Sequence, residues 1–237
     1  MGNSLTAYRQ AIGLHNNLKI CFSCTNIGIR TLSILCFVCI IFLILLLRCG
    51  DIEINPGPFK LKSLSLCHVN IRGLSDFKLR AIKTSLCEKF DIITMSETFL
   101  GPHSTVDLTL PGYHAILRRD RPTFGGGVAI YIRENIIFKQ LHEFSSESIE
   151  NMWIQVNTKE GKLLIGNFYR PPNCSDFWQH FDTNLELIKS ESLVQNIILM
   201  GDFNADFNTN NGKHLRDICL LNNLLLHINE PTRITNS

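Results

Sequence analysis

Polar side chains stand at the ends of several apolar runs in this sequence. The run LSLCHV ends at Asn70, the run DIITMS leads into Glu97, and the run IILMG leads into Asp202 and Asn204. Because side chains alternate along an extended chain, we expect Asp202 and Asn204 to face the same way. Such a pair can converge on one small object.

These residue types suit a hard divalent cation. Mg²⁺ prefers carboxylate and amide oxygens, keeps several waters, and often takes one or two protein carboxylates together with a substrate phosphate. Glu97 is then the natural direct ligand, Asp202 can act as a base on an attacking water, and Asn204 can orient Asp202 or the phosphate. For any one residue alone, a plain turn or cap at a strand end is the better interpretation, because Asp and Asn favour turns.

Strands and helices alternate in the part of the chain that must position these residues. The patterns predict strands at 64–70, 92–96, 128–132, 152–156, 163–168, 197–200 and 224–228, and helices over 79–90, 177–188 and 215–221. Ser75 is a candidate cap for the first helix, and residues 134–150 form a connection of mixed character. Several strands follow one another directly, which predicts a layered α/β domain with mixed sheets.

Size and charge set broad limits on the function. A chain of 237 residues with 45% hydrophobic content can bury one sizeable core, so we expect one main domain. Beyond Pro58, the chain carries 19 basic and 19 acidic residues. A neutral domain can bind nucleic acid through a local basic patch, but its bulk charge gives no argument that it does.

The nine cysteines favour a reduced protein over a metal or disulfide framework. Cys21-x-x-Cys24 and Cys36-x-x-Cys39 have the spacing of a four-thiolate zinc site, but the second pair lies inside an apolar run. Zinc knuckles place polar turn residues around their thiolates, so small buried side chains are the favoured interpretation. The remaining five cysteines are scattered along the chain.

An apolar segment precedes the main domain. Residues 31–47, TLSILCFVCIIFLILLL, carry no charge and are bounded by Arg30 and Arg48. This run is slightly shorter than the roughly 20 residues that cross a bilayer comfortably, and it matches a signal-peptide core or a short span. We therefore expect an N-terminal apolar helix that contacts a membrane, with a membrane or secretory location for this leader.

The stretch GDIEINPGP follows the apolar segment. Its simple interpretation is a Pro/Gly turn. The pattern also resembles the ribosome-skipping peptide of the viral 2A type, whose fixed positions are occupied here by Asp51, Glu53, Asn55, Pro56, Gly57 and Pro58. Proline's hindered secondary amine and locked φ suit slow peptide-bond formation after Gly57. The resemblance implies a leader, residues 1–57, released from a main domain at residues 60–237.

Four motifs in the main domain carry a second resemblance: VNIRGL with Asn70, DIITMSETFL with Glu97, GNFYRPP with Tyr169, and LMGDFNAD with Asp202 and Asn204. Their order and setting resemble the endonuclease/exonuclease/phosphatase superfamily. The nearer likeness is to the apurinic-type endonuclease domain of non-LTR (LINE-type) retrotransposons, to which residues 110–135 and 229–235 are also similar. The implied fold is a four-layer α/β sandwich of two mixed β-sheets flanked by helices.

The resemblance also implies a role for each residue. Asn70 would hold phosphate or metal, Glu97 would bind Mg²⁺ or Mn²⁺ with a contribution from Asp202, and Tyr169 would hydrogen-bond the scissile phosphate of DNA. Asp202 would align or deprotonate water, with support from Asn204. The nick would leave a 3′-hydroxyl, which primes reverse transcription by another domain of the polyprotein. The expected location is the nucleus or the cytoplasm.

One departure from the family pattern concerns its last segment. The family continues to a terminal Ser-Asp-His whose histidine contacts phosphate, and no histidine in the 237 residues has that setting. His68 and His227 lie inside predicted strands and are interpreted as core or surface residues. We therefore expect a domain incomplete at its C-terminus. Two alternatives to the endonuclease stay open: a phosphodiesterase or phosphatase acting on lipid or small phosphate esters, and an inactive remnant or membrane-tethered binding module.

Three further features have simpler interpretations. Gly125-Gly126-Gly127 precedes a strand, so it is interpreted as a turn and not as a phosphate loop. Arg118, Arg119 and Arg121 contact DNA phosphates or form a solvated loop, and the sequence does not separate the two. The two tryptophans, at positions 153 and 178, are expected in the core.

Overall fold

The computed structural model describes residues 11–14, 64–191, 196–207 and 209–227. Its strands are β1 (Ala11–Leu14), β2 (Leu66–Asn70), β3 (Ile92–Ser96), β4 (Leu117–Arg119), β5 (Val128–Ile132), β6 (Phe138–Gln140), β7 (Glu150–Thr158), β8 (Gly161–Tyr169), β9 (Asn196–Asp202) and β10 (Leu224–Leu226). Its helices are α1 (Asp76–Ser85), α2 (Phe177–Glu191) and α3 (Lys213–Leu221), with 3₁₀ turns at His142–Phe144 and Asn210–Gly212.

Several predictions concern residues outside this description. They are the apolar segment at 31–47, both Cys-x-x-Cys pairs, the stretch at 51–58 and the segment at 229–235. Within the described ranges, no helix combines the length and apolar character needed to span a bilayer.

The strands form two mixed sheets, as predicted. The six-stranded sheet has the order β10-β1-β9-β8-β7-β6, and the four-stranded sheet has the order β2-β3-β5-β4. Two pairs are parallel, β2 with β3 and β8 with β9, and the other neighbours are antiparallel. Each parallel pair belongs to a β-α-β unit, because parallel neighbours need a crossover connection.

Helices cover the outer face of each sheet. Leu79 and Ile82 of α1 pack in a cluster with side chains of β2, β3 and β5. On the six-stranded sheet, Phe181 of α2 and Leu215 of α3 pack in a cluster with side chains of β7, β8 and β9. The inner faces meet each other, with contacts of β2 and β3 to β9 and of β5 to β8. The result is the expected four-layer sandwich, and both tryptophans are buried in its core.

Most element boundaries follow the predicted patterns, with local differences. Ser75 caps α1 as expected, its hydroxyl accepting a hydrogen bond from the Lys78 backbone N–H at 3.4 Å. The helix ends at Ser85, before the predicted Phe90, and the last strand ends at Leu226, so that His227 follows the strand instead of lying inside it as predicted. Strands β4 and β6 were not predicted, because each has three residues, two of which are only partly buried, and so gives little alternation.

Candidate active site

The two parallel strand pairs place their carboxyl ends at one edge of the sandwich. Asn70 ends β2 opposite Ser96 of β3, so Glu97 follows directly at that edge. Tyr169 ends β8 opposite Asp202 of β9. The four predicted site residues therefore come from the ends of four strands, two in each sheet. They lie at one edge of the sandwich because the two sheets are stacked face to face.

The side chain of Asn70 joins the two carboxylates. Its amide nitrogen, Nδ2, donates to Glu97 Oε1 at 2.8 Å and to Asp202 Oδ2 at 2.6 Å. Its Oδ1 accepts a hydrogen bond from the Arg72 backbone N–H at 3.2 Å. Glu97 and Asp202, which belong to different sheets, therefore each have an oxygen within hydrogen-bond distance of one atom.

The backbone at Glu97 is held in an uncommon conformation. Its φ is +53°, a left-handed value that side chains other than glycine and asparagine seldom adopt. The Glu97 carbonyl accepts a hydrogen bond from Gly73 N at 2.7 Å, and Thr98 N donates to the Gly127 carbonyl at 3.2 Å. These bonds fix where the carboxylate is presented, and strain of this kind concentrates at functional sites.

Tyr169 supplies a neutral hydroxyl to the same group. Burial raises the pKa of Tyr169 above its ordinary value, and the charge of Glu97 and a side-chain hydrogen bond with it raise the pKa further. Asp202 and Glu150 act in the same direction. The phenol therefore stays protonated at neutral pH and can donate a hydrogen bond to an anion.

Asn204 reaches the site by a different route from the predicted one. Strand β9 ends at Asp202, and Asn204 has a φ of +44°, so the alternation of an extended chain does not apply to it. Its backbone N–H donates to Asp202 Oδ1 at 3.0 Å, and its side-chain Nδ2 donates to the Arg170 carbonyl at 2.6 Å. Asn204 thus holds Asp202 and the neighbouring loop in place through hydrogen bonds.

Arg170 was not singled out in the sequence, yet it fixes the loop that carries Asn204. The side chain is buried, and its Nη1 donates to the carbonyls of Phe203 at 3.2 Å and Asn204 at 3.1 Å. The guanidinium also lies over the Trp178 ring, 4.9 Å from its centroid. Burial lowers the pKa of Arg170, with Cys174 acting in the opposite direction. The motif GNFYRPP contained this arginine, but only the fold shows what it contacts.

His68 lies below the site, between the sheets. It is fully buried, with Nδ1 3.0 Å from Thr94 Oγ1 and Nε2 3.2 Å from Ser96 Oγ. Burial lowers the pKa of His68 to about 4, although Asp202 acts to raise it. The interpretation of His68 as a core residue is therefore confirmed, whereas His227 follows β10 and is half-buried.

The arginines at 118, 119 and 121, two in β4 and one in the loop after it, form ion pairs or hydrogen bonds within the protein. Arg121 pairs with Glu150, and Arg118 pairs with Asp120 at 3.5 Å. Arg119 Nη1 donates to the carbonyls of Ile149 and Asn151, at 3.2 and 3.3 Å. The glycines at 125–127 form a turn before β5, as predicted, and all three have positive φ.

The donor set suits a hard cation better than a soft one. In the described part of the chain, no group of three or more His, Cys, Asp or Glu side chains is arranged so that it could hold a metal ion. Two carboxylates with an amide match Mg²⁺ or Mn²⁺, which take few protein ligands and complete their shell with water and phosphate oxygens. The predicted ligands Glu97, Asp202 and Asn70 are thus chemically compatible with such an ion.

Comparisons with known proteins bear on this geometry. The model of the endonuclease/exonuclease/phosphatase family matches residues 69–222. The endonuclease domain of TRAS1, a telomere-specific non-LTR retrotransposon, is 12% identical with a TM-score of 0.50, over 67% of this chain and 70% of that one. Human Nocturnin's catalytic domain with bound sulfate is 18% identical with a TM-score of 0.45, over 64% and 67% of the two chains. An AP endonuclease from Archaeoglobus fulgidus is 20% identical with a TM-score of 0.42, over 60% and 58%.

No curated protein matches the sequence. At 12% identity, the likeness to the TRAS1 domain shows the fold and not the activity. The family match is broader evidence, because it covers more than half of the chain and includes Asn70, Glu97, Tyr169 and Asp202. The chain belongs to the endonuclease/exonuclease/phosphatase family.

Proposed function

We propose that the chain is a divalent-metal-dependent endonuclease that nicks DNA and leaves a 3′-hydroxyl to prime reverse transcription. One observation carries the proposal: the Asn70 amide joins Glu97 to Asp202, and the neutral hydroxyl of Tyr169 lies against the same group. The fold likeness to a retrotransposon endonuclease domain supports the choice of substrate.

Members of the family generally depend on a divalent metal ion. In the proposal, Glu97 and Asp202 would hold Mg²⁺ or Mn²⁺, with Asn70 beside them. A bound ion of this kind stabilises charge on the phosphate and favours the deprotonation of water. Asn70 would then exchange its hydrogen bonds to the carboxylates for contacts to the ion or the phosphate.

The protein's own groups carry the proton and the positioning. Asp202 accepts a proton from the water whose oxygen attacks phosphorus in line with the departing O3′. The P–O3′ bond breaks, the departing oxygen takes a proton from solvent water, and the products are a 3′-hydroxyl and a 5′-phosphate. Tyr169 donates a hydrogen bond to a phosphate oxygen, and Asn204 with Arg170 keeps the loop after Asp202 in place.

Relaxation of supercoiled plasmid tests the proposal. The protein with Mg²⁺ should convert supercoiled DNA to nicked circles, and EDTA should stop the reaction. Glu97→Gln and Asp202→Ala should each lower the rate by at least about 100-fold, the usual scale for a lost catalytic group. If the same coding sequence also gives a longer product with a Ser-Asp-His segment, that product is assayed alongside the 237-residue chain. Undiminished nicking by both variants would refute the assignment.

A phosphodiesterase or phosphatase acting on lipid or small phosphate esters is the second candidate, because the same site geometry and family serve that chemistry. Bis(p-nitrophenyl) phosphate separates the two. Hydrolysis of this ester without plasmid nicking would favour the second candidate. Activity on neither substrate, in both forms of the protein, would favour an inactive remnant.

We also propose that the stretch at 51–58 acts by ribosome skipping and detaches the leader, including residues 31–47, from the main domain. Strand β1 belongs to that leader and pairs with β9 and β10 through backbone hydrogen bonds, which a separate peptide can also make. In vitro translation should give two products. Pro58→Ala should give one, and Ile54→Val, at a variable position of the motif, should still give two. A single product from the unaltered chain would contradict the proposal.

A further inference from the structure

Two phenylalanines form a ring pair beside the candidate active site. Phe99 lies two residues after Glu97, and its ring centroid is 5.5 Å from that of Phe124, with 45° between the ring planes. Phe124 is 91% exposed, more than any other large apolar side chain in the described ranges. The pair therefore offers an open aromatic face beside the site. The exposed Phe124 ring gains little stabilisation from packing within the protein.

The backbone holds this pair firmly. Phe99 N donates to the Gly126 carbonyl at 2.9 Å, which ties the segment after Glu97 to the loop that carries Phe124. Gly127 N donates to the Glu150 carboxylate, and a Cβ on Gly126 would overlap Glu150 and Arg121. The loop is thus clamped from its base, and its aromatic tip keeps a defined position.

The ring of Phe99 is packed against the loop that follows Asn70. A Cβ placed on Gly73 would lie 3.2 Å from Phe99 Cδ2, so the ring rests on the backbone of the loop that follows Asn70. The φ of Phe99 is +52°, which is unfavourable for a bulky side chain. Residues in such strained conformations persist only where the surrounding structure holds them, and they cluster at active sites and ligand clamps.

Arg72, which directly precedes the glycine that Phe99 packs against, carries a positive charge near the candidate site. Arg72 is exposed, and its backbone N–H donates to Asn70 Oδ1 at 3.2 Å. Among the described residues, no group accepts a hydrogen bond or forms an ion pair with its guanidinium. Arg121, by contrast, is neutralised by Glu150. A cation on the segment after Asn70 and an open aromatic face on the segments after Glu97 and before β5 match single-stranded or unstacked nucleic acid.

We propose that Phe124, backed by Phe99, stacks on an unstacked nucleobase next to the scissile phosphate, and that Arg72 binds a neighbouring phosphate. The inference rests on the proposed action on DNA and adds its preferred form, a strand with an unpaired base at the nick. Stacking of a base on an aromatic side chain tolerates any sequence, because every base has a π-face. A protein partner would not require the phosphate contact, and a membrane surface would offer phosphates but no base to stack on Phe124.

Fluorescence of a 2-aminopurine oligonucleotide tests the stacking directly. A single-stranded oligonucleotide carrying the probe is titrated with the full chain in EDTA, so that binding is measured without hydrolysis. The unaltered protein should quench the probe. Phe124→Ala should abolish the quenching and weaken binding by roughly 5- to 150-fold, and Phe124→Tyr, which keeps a stacking ring, should restore both.

Two further variants sharpen the test. Leu221→Ala removes another strongly exposed apolar side chain, at the end of α3, and this variant should bind like the unaltered protein. Arg72→Gln should make the slope of log affinity against log salt shallower by about 0.7, the value for one phosphate on a single strand. Equal quenching by Phe124→Ala, or no quenching by any form, would overturn the proposal. If the unaltered protein nicks plasmid but Phe124→Ala quenches the probe as strongly as the unaltered protein, only the stacking proposal is overturned. If Phe124 is needed for quenching but the unaltered protein does not nick plasmid, only the endonuclease proposal is overturned.

Discussion

At the scale of single residues, the site depends on an amide that two carboxylates share. The sequence predicted Asn70, Glu97 and Asp202 because each stands where an apolar run ends. It did not predict that Asn70 Nδ2 would contact both carboxylates, because neither segment shows how the two sheets are positioned against each other. Tyr169 entered only through resemblance, since a tyrosine at the end of a buried strand is otherwise an ordinary core residue.

His68 gives the first prediction, which concerns stability and pH. Its pKa falls from about 6.5 in the unfolded chain to about 4 in the fold, because burial disfavours the charged ring. Its contribution to the free energy of unfolding is therefore complete above pH 6.5 and is lost as the pH falls towards 4. The loss is roughly 3 kcal/mol at about 1.4 kcal/mol per pKa unit.

Urea unfolding at pH 7 and pH 4.5, without added metal, measures this loss. Carboxylates titrate in the same range, so the comparison is with His68→Asn, which has no ring to protonate. The variant should lose less stability on acidification than the unaltered protein. An identical loss in both proteins would show that His68 does not titrate as its burial requires.

At the scale of elements, the strand ends were predictable and the turns beyond them were not. The end of the apolar run placed Asp202 near the carboxyl end of β9, which extends two residues beyond the predicted end to Asp202 itself. The alternation expected from Asp202 to Asn204 failed, because φ becomes positive at Asn204. Edge strands β4 and β6 escaped prediction because three residues carry too little periodicity. The tight pairing of β8 with β9 likewise depends on a contact that no single segment reveals, at Gly201.

Gly201→Ala gives the second prediction. Gly201 lies opposite Phe168 with a φ of +153°, and a Cβ there would overlap the Phe168 carbonyl oxygen. The substitution should lower the free energy of unfolding by about 1–3 kcal/mol and displace Asp202, which follows directly. Gly161→Ala is the matched control, since Gly161 has a φ of +121° but open space where a Cβ would lie. Equal loss of stability in both variants would mean that backbone strain, and not the clash, is responsible.

At the scale of the whole molecule, the two stacked sheets must keep a fixed relative position so that their strand ends lie close together. Asn167 of β8 joins them, its buried Nδ2 donating to the carbonyls of Met95 at 2.9 Å and Ala129 at 3.0 Å. The layered α/β class followed from the order of strands and helices. The four-layer stacking followed from resemblance alone, because nothing in one segment says which sheet it will face.

Asn167→Ala gives the third prediction. It removes both donors and leaves two buried carbonyls without them, so the free energy of unfolding should fall by about 2 kcal/mol or more. Asn157→Ala, at an exposed position of β7, should change it by less than about 0.5 kcal/mol. Chemical denaturation followed by circular dichroism makes the comparison. A negligible effect at Asn167 would mean that apolar packing alone fixes the register of the sheets.

Binding of Mn²⁺, followed by electron paramagnetic resonance, tests most directly whether Glu97 and Asp202 hold one cation together. The unaltered protein should bind one Mn²⁺ ion per chain at this site, and Mg²⁺ should displace it. Glu97→Gln and Asp202→Ala should each weaken the binding at least about tenfold, while Glu134→Gln, at an exposed position after β5, should leave it unchanged. Equal binding by all four proteins would contradict the account.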